Sequence, residues 1–166
     1  LSCPMPILAI DQSTSATKAV LFGDDGRLVG RASQEHKQHY PGPGMIEHDP
    51  EELYENTLKV IARVVGDSRV QPGSIAAIGI TNQRETTAVW DRRTGRPLHN
   101  AVIWQDQRGT AAGEDLKARG LEPSIRAKTG LLVDTYFSAS KLKWLVDNVA
   151  AVREAARRGD ALCGTV

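Results

Sequence analysis

At 166 residues the chain is the size of one ordinary domain, and 21 Lys and Arg against 20 Asp and Glu leave a formal net charge of +1. Such a balance gives non-specific duplex binding no electrostatic support, so nucleic acid is not an expected partner. Hydrophobic residues at 40% and charged residues at 25% exclude a disordered chain, and aromatics at 5% mean a core built from Ile, Leu, Val and Ala.

The two cysteines, Cys3 and Cys163, form no CxxC and no metal-ligand spacing. No apolar run approaches the roughly 18 residues of a membrane span, and the opening LSCPMP lacks a basic signal region. The expectation is a soluble, cytoplasmic domain with no membrane span.

In chain order, Ile7 to Ile10 is a short apolar strand, followed by the small polar stretch Asp11 to Thr17. Ala19 to Phe22 is a second strand, Asp24-Asp25-Gly26 a turn, and Arg27 to about His36 a third strand, which together predict an antiparallel meander. Tyr40-Pro41-Gly42-Pro43-Gly44 breaks the pattern. A helix then begins with Asp49 as N-cap, Pro50 at the first position and Glu52 at the third. Tyr54, Leu58, Ile61 and Val65 are expected to form its buried face. Ile75 to Ile80 is uniformly apolar, which predicts a parallel strand buried on both faces.

The order to that point is β-β-β-α-β. Thr86 to Asp91 and Ala101 to Trp104 read as further strands around an Arg92–Gly95 turn. Most of the remainder reads as helical. Leu142, Leu145, Val146 and Val149 supply the clearest face, and Ala161 to Val166 is a last strand whose edge could promote self-association. His36, His39, His48 and His99 show no metal spacing and are expected at the surface or in turns.

Three segments carry chemistry. Asp11 ends a strand and is followed by four hydroxyls, on Ser13, Thr14, Ser15 and Thr17, and then by Lys18. A tight hairpin of this kind can cradle phosphate oxygens, with Asp11 holding Mg²⁺ through water and Lys18 acting as a point charge. An ordinary polar hairpin fits the same residues. Neither the P-loop nor the dinucleotide glycine pattern occurs.

The second segment, Thr81 to Thr87, is seven consecutive polar residues between apolar runs. Arg84 is a fork of donors and Glu85 is acceptor-only, so together they could grip vicinal hydroxyls. A surface loop with an incidental ion pair is the other reading. The third is Trp104, with Tyr136 farther along. An aromatic wall and a phenol suit the C–H face and hydroxyls of a polyol, but they equally suit a core.

The stretches ILAIDQSTSATKAVLF, PGPGMIEHDPEELYENT, IAAIGITNQRETTAVWD, AVIWQDQR and TGLLVDTYFSASKLKWLVDN resemble the FGGY family of carbohydrate kinases, in order and from Ile7 to Val166. That resemblance implies an α/β fold of the actin-like ATPase, ribonuclease H-like type. It would comprise a mixed sheet in β-β-β-α-β order with helices on both faces. Residues 1–166 would form the N-terminal domain of a two-domain enzyme whose active site lies in the cleft between the domains.

It also implies ATP-dependent phosphorylation of a primary hydroxyl, with ATP and Mg²⁺ as cofactors and glycerol or a related polyol as substrate. Asp11 would meet the Mg²⁺ of ATP, and Thr14, Ser15 and Lys18 the phosphates. Arg84, Glu85 and Tyr136 would hydrogen-bond the polyol, and Trp104 would pack on its carbons. The general-base Asp and most adenine contacts would belong to segments outside this sequence, so the 166 residues alone are expected to be inactive.

Two positions depart from the glycerol-type pattern: Ser13 stands where Gly is usual and Lys18 where Arg is usual. Lys lacks the guanidinium fork and constrains a phosphate less. Other readings are a kinase for xylulose, erythritol or another sugar, and a non-catalytic actin-like binding module. A homo-oligomer is a further possibility.

Overall fold

The computed structural model describes residues 5–166, so Cys3 lies outside the described residues. The chain divides into two compact units, one of Leu1–Lys37 with Glu51–Gln83 and the other of Gln38–Pro50 with Arg84–Val166.

The first unit is a four-stranded mixed sheet with one long helix. Strands β1 (Ile7–Gln12), β2 (Ala16–Phe22) and β3 (Leu28–Glu35) form the expected meander. The β2–β3 turn closes through Gly26, whose φ of 75° explains the Asp-Gly signal. After the two-residue β4 (Glu47–His48), helix α1 (Pro50–Ser68) crosses over to β5 (Ala77–Thr81), which pairs parallel to β1. The sheet order is therefore β3-β2-β1-β5. Leu8 and Ile10 of β1, Ala19 and Leu21 of β2 and Ala32 of β3 pack beneath Val60 and Val64 of α1. Each fully buried aliphatic side chain here contributes roughly 1.5–3 kcal/mol.

Two expectations fail in this unit. The buried face of α1 is Leu53, Asn56, Val60 and Val64, whereas Tyr54 and Leu58 are exposed and Ile61 and Val65 lie at the margin of the core. Two apolar stripes run along this helix about one residue apart, and the sheet takes the one that starts at Leu53. The parallel pairing of β5 is as expected, but its burial is not, for Ile78 is 58% and Ile80 72% exposed. Their register partners are Leu8 and Ile10, so they belong to the helix-facing side of the sheet, but β5 is an edge strand outside the core cluster that α1 covers.

The second unit is an antiparallel sheet of order β4-β7-β6-β8, with β6 (Thr87–Asp91), β7 (Ala101–Val102) and β8 (Ala161–Thr165). Four helices accompany it: α2 (Thr110–Ala118), α3 (Glu122–Thr129), α4 (Ser138–Asn148) and α5 (Ala150–Arg158). Asp91 Oδ1 accepts from the Arg93 and Thr94 amides at 2.8 Å each, which builds the turn after β6. Val89, Val102, Leu145 and Val152 form the core, with Leu142 and Val149 packed beside them. Val146 is the exposed member of the expected α4 face. Helices α2 and α4 approach closely at Gly109, where an added methyl would lie 2.6 Å from the Ser140 Cβ. Among the described residues no helix is long and apolar enough to cross a membrane.

Candidate functional site: a hydroxyl-rich hairpin and an acid–aromatic cluster

In the first unit the β1–β2 hairpin is braced from below. Asp11 and Lys18 are register partners, so their side chains emerge together at the strand ends and meet at 3.3 Å, each about half exposed. The turn is pinned by the Ser13 amide and hydroxyl, which donate to the Ala16 carbonyl at 3.0 and 2.7 Å. Buried Gln83 donates to the Ser13 carbonyl at 3.1 Å, and the His36 amide donates to the Ser15 carbonyl at 3.0 Å. The Ser13, Ser15 and Ala16 carbonyls are thus engaged within the protein, while Ser15 stays exposed and Thr14 half-buried. Ser13 is not among the residues with positive φ, so the turn makes no demand for glycine there, and its extra hydroxyl bonds its own turn.

Beneath the hairpin His36 is buried rather than at the surface. Asn56 Nδ2 donates to its Nδ1 at 3.1 Å and to the Glu35 carbonyl at 3.1 Å. That leaves Nε2 as the protonated nitrogen, donating to Thr17 Oγ1 at 2.9 Å. Burial pushes the His36 pKa down from its ordinary value, against a smaller upward pull from Glu52. His48 is likewise buried.

The donor set at Asp11 is one carboxylate, about half exposed and paired with Lys18 at 3.3 Å. Among the described residues no group of three or more His, Cys, Asp or Glu side chains could cage a metal. A single exposed carboxylate matches Mg²⁺ that keeps its waters and arrives on phosphate oxygens. That donor set is compatible with an ion that arrives on a nucleotide.

In the second unit Glu85, Trp104 and Tyr136 are brought together around the N-terminus of α4. Glu85 has φ of 66°, a left-handed conformation that costs a non-glycine residue free energy and recurs at functional positions. Its Oε2 accepts from the amide and hydroxyl of Ser138, the first residue of α4, at 2.7 and 2.5 Å. A carboxylate at a helix N-terminus is favoured by the orphan amides and the helix dipole. Trp104 donates its amide to Thr86 Oγ1 at 3.3 Å, and its indole meets the Tyr136 ring edge-on, with centroids 6.0 Å apart. Phe137 also meets the Tyr136 ring edge-on, with centroids 5.2 Å apart. Arg84 is exposed, and among the described residues no hydrogen bond or ion pair engages its guanidinium.

Sequence reasoning singled out the segment that holds Thr86 but overlooked two supports of this cluster, Ser138 and Lys141. Lys141 had a legible signal, because it lies four residues before Leu145 on the buried stripe of α4. Its side chain is fully buried, and burial pushes its pKa down to about 8 against the pull of Glu85, Asp106 and Asp134.

The EHDP stretch also gains a role. Glu47 Oε1 meets Arg108 Nη1 at 2.8 Å, and Arg108 pairs with Asp106 at 2.9 Å. Asp106 Oδ2 also accepts from the Ile46 amide at 2.7 Å, and the Arg108 guanidinium lies 4.5 Å from the Trp144 ring centroid. This buried network ties β4 to the segment that follows Trp104.

Residues 6–165 match the family model described as the FGGY family of carbohydrate kinases, N-terminal domain. Glycerol kinase 1 of Thermotoga maritima is 52% identical over 162 residues, covering 98% of this chain and 33% of that protein. Glycerol kinase from Carboxydothermus hydrogenoformans is 52% identical over 160 residues, 96% of this chain and 32% of that protein. Among solved structures, Plasmodium falciparum glycerol kinase with ADP superposes with a TM-score of 0.86 at 35% identity, over 96% of this chain and 32% of that one.

The fold is that of the actin-like, ribonuclease H-like sugar kinases. The chain belongs to the FGGY family of carbohydrate kinases and matches its N-terminal domain. It spans about a third of the length of the relatives it matches.

Proposed function

We propose that this chain supplies the polyol contacts and part of the phosphate contacts of an ATP-dependent kinase that phosphorylates a primary hydroxyl of glycerol. The observation that carries the reading is the convergence of Glu85, Trp104 and Tyr136 on the start of α4, beside an exposed Arg84. The nearness to glycerol kinases in sequence and fold supports glycerol over xylulose or gluconate.

In this reading Arg84 donates to two neighbouring hydroxyl oxygens, while Glu85 uses the oxygen not bonded to Ser138 to accept a hydrogen bond from a hydroxyl. Tyr136 adds a phenolic hydrogen bond, and the Trp104 ring covers the polyol's C–H face. Thr14, Ser15 and the hairpin amides bind phosphate oxygens, and Lys18 places a positive charge on the terminal phosphate. That requires Lys18 to exchange Asp11 for phosphate. The exchange is inexpensive, because an exposed pair is worth about 0–1 kcal/mol. Asp11 then orients the water shell of Mg²⁺, which neutralises phosphate charge when bound. Phosphoryl transfer needs little more than such positioning and charge neutralisation.

The general base and the adenine contacts are assigned to a second domain of the same protein. Dependence on ATP supports a cytoplasmic location. The test is a panel of glycerol, erythritol, xylulose and gluconate with the full-length protein and Mg·ATP, read by ADP release. Glycerol should give the highest kcat/KM. A higher value for xylulose or gluconate would reassign the substrate.

A further inference from the structure

Lys141 is a fully buried cation, and its position is costly in three ways. Its side chain is 0% exposed, so the ammonium has lost its water. It stands in the first turn of α4, where the helix dipole opposes a positive charge. It also immobilises a long, flexible side chain. A Met or Leu on the same stripe would pack into this core without those penalties. What Lys141 gains is specific. Nζ donates to the carbonyls of Thr135 and Tyr136 at 2.6 Å each and to that of Phe137 at 3.4 Å. Its three donors are therefore spent on three consecutive backbone groups, those of the segment that carries the Tyr136 ring.

The charges facing it are Glu85, Asp106 and Asp134. Glu85 comes from the segment before β6, Asp106 from the segment after β7, and Asp134 from the segment before α4. The Asp134 carboxylate in turn accepts from the Tyr136 amide at 2.7 Å. Tyr136 is thus gripped at its carbonyl by Lys141 and at its amide by Asp134, and Glu85 is gripped by Ser138 within the field of the same ammonium.

We propose that Lys141 is a positioning residue for polyol recognition, its ammonium holding the Thr135–Phe137 backbone so that the Tyr136 phenol and the Glu85 carboxylate face the substrate together. This rests on the polyol reading above. Lys141 touches no substrate in this account. When the ammonium loses its proton it loses one donor and its attraction for Glu85, and the Tyr136 segment loosens.

The experiment uses the full-length protein and glycerol as the probe, with KM for glycerol and for ATP measured from pH 7 to 9.5. With a Lys141 pKa of about 8, the competent fraction at pH 9 falls to about a tenth, so the glycerol KM should rise roughly tenfold while the ATP KM stays within about twofold. Lys141→Met should show the raised glycerol KM already at pH 7 and no further dependence on pH. A flat glycerol KM in the wild type overturns the pH-dependent loosening of the Tyr136 segment, and that measurement needs no variant to fold. A folded Lys141→Met or Lys141→Gln enzyme with wild-type glycerol KM overturns the positioning role itself. Wild-type protein that does not phosphorylate glycerol at all overturns the polyol reading, and this inference with it.

Discussion

Arg84 and Glu85 are neighbours in sequence with the same proposed ligand, but the structure assigns them opposite consequences for stability. Glu85→Gln keeps the shape and an oxygen for Ser138, but both bonds change from charge-assisted to neutral. Each such change costs about 1 kcal/mol, and losing a negative charge at the start of α4 adds about 0.3–1 kcal/mol. The sum is roughly 2–3 kcal/mol on the second unit. At a urea dependence of about 1–3 kcal/mol/M this moves the unfolding midpoint down by roughly 1 M.

Arg84→Met removes a guanidinium that no described residue engages. Its midpoint should stay within the spread of about 0.5 kcal/mol seen for surface substitutions, while the glycerol KM rises ten- to hundredfold for a lost charged hydrogen bond of about 1.5–3 kcal/mol. Urea titrations followed by circular dichroism, paired with steady-state kinetics of the full-length protein, separate the two. Equal midpoint losses for both variants, or an unchanged glycerol KM in Arg84→Met, would refute the division of labour.

Three further outcomes follow from other parts of the chain. The lowered His36 pKa means that the unfolded chain binds more protons at acid pH. The first unit should therefore keep its full stability above about pH 6.5 and lose it as pH falls through the depressed folded pKa. His36→Gln should flatten that dependence between pH 7.5 and 5, and an equally steep loss in the variant would exonerate the histidine. Gly109→Ala drives a methyl into Ser140 and should cost about 1–3 kcal/mol, visible as a Tm lower by roughly 2–4 °C per kcal/mol. An unchanged Tm would mean that α2 and α4 separate at no cost. Lys18→Met breaks only an exposed pair, so stability should change by less than about 1 kcal/mol while the KM for ATP rises and that for glycerol does not. A large loss of stability would make the Asp11 pair structural.

The meander, its turns and the start of α1 were legible because each is written in local chemistry: alternating apolar residues, Asp-Gly, and Pro after Asp. The sides on which α1 and β5 lie were not. Leu53, Val60 and Val64 compete with Tyr54, Leu58, Ile61 and Val65 for the sheet, and only the packing chooses between stripes one residue apart. The edge position of β5 is a property of sheet order, which its own apolar sequence does not contain.

The candidate site divides in the same way. Asp11, Lys18, Arg84, Glu85, Trp104 and Tyr136 stand out by residue type and placement. The left-handed backbone of Glu85, the Ser138 bonds and the three carbonyls around Lys141 depend on segments more than 50 residues apart in part, and spacing does not reveal them. Glu47 illustrates the limit. It lies in one of the stretches that carry the family resemblance, but its work as a buried partner of Arg108 is visible only once β4 and β7 are paired.

Phosphorus NMR of the full-length protein with glycerol and Mg·ATP tests phosphoryl transfer to a polyol hydroxyl most directly. ADP and a new phosphomonoester on a primary carbon should form in equal amounts, and both should be strongly reduced in Arg84→Met at low glycerol. Stable ATP, or inorganic phosphate released with no phosphoester, would contradict it.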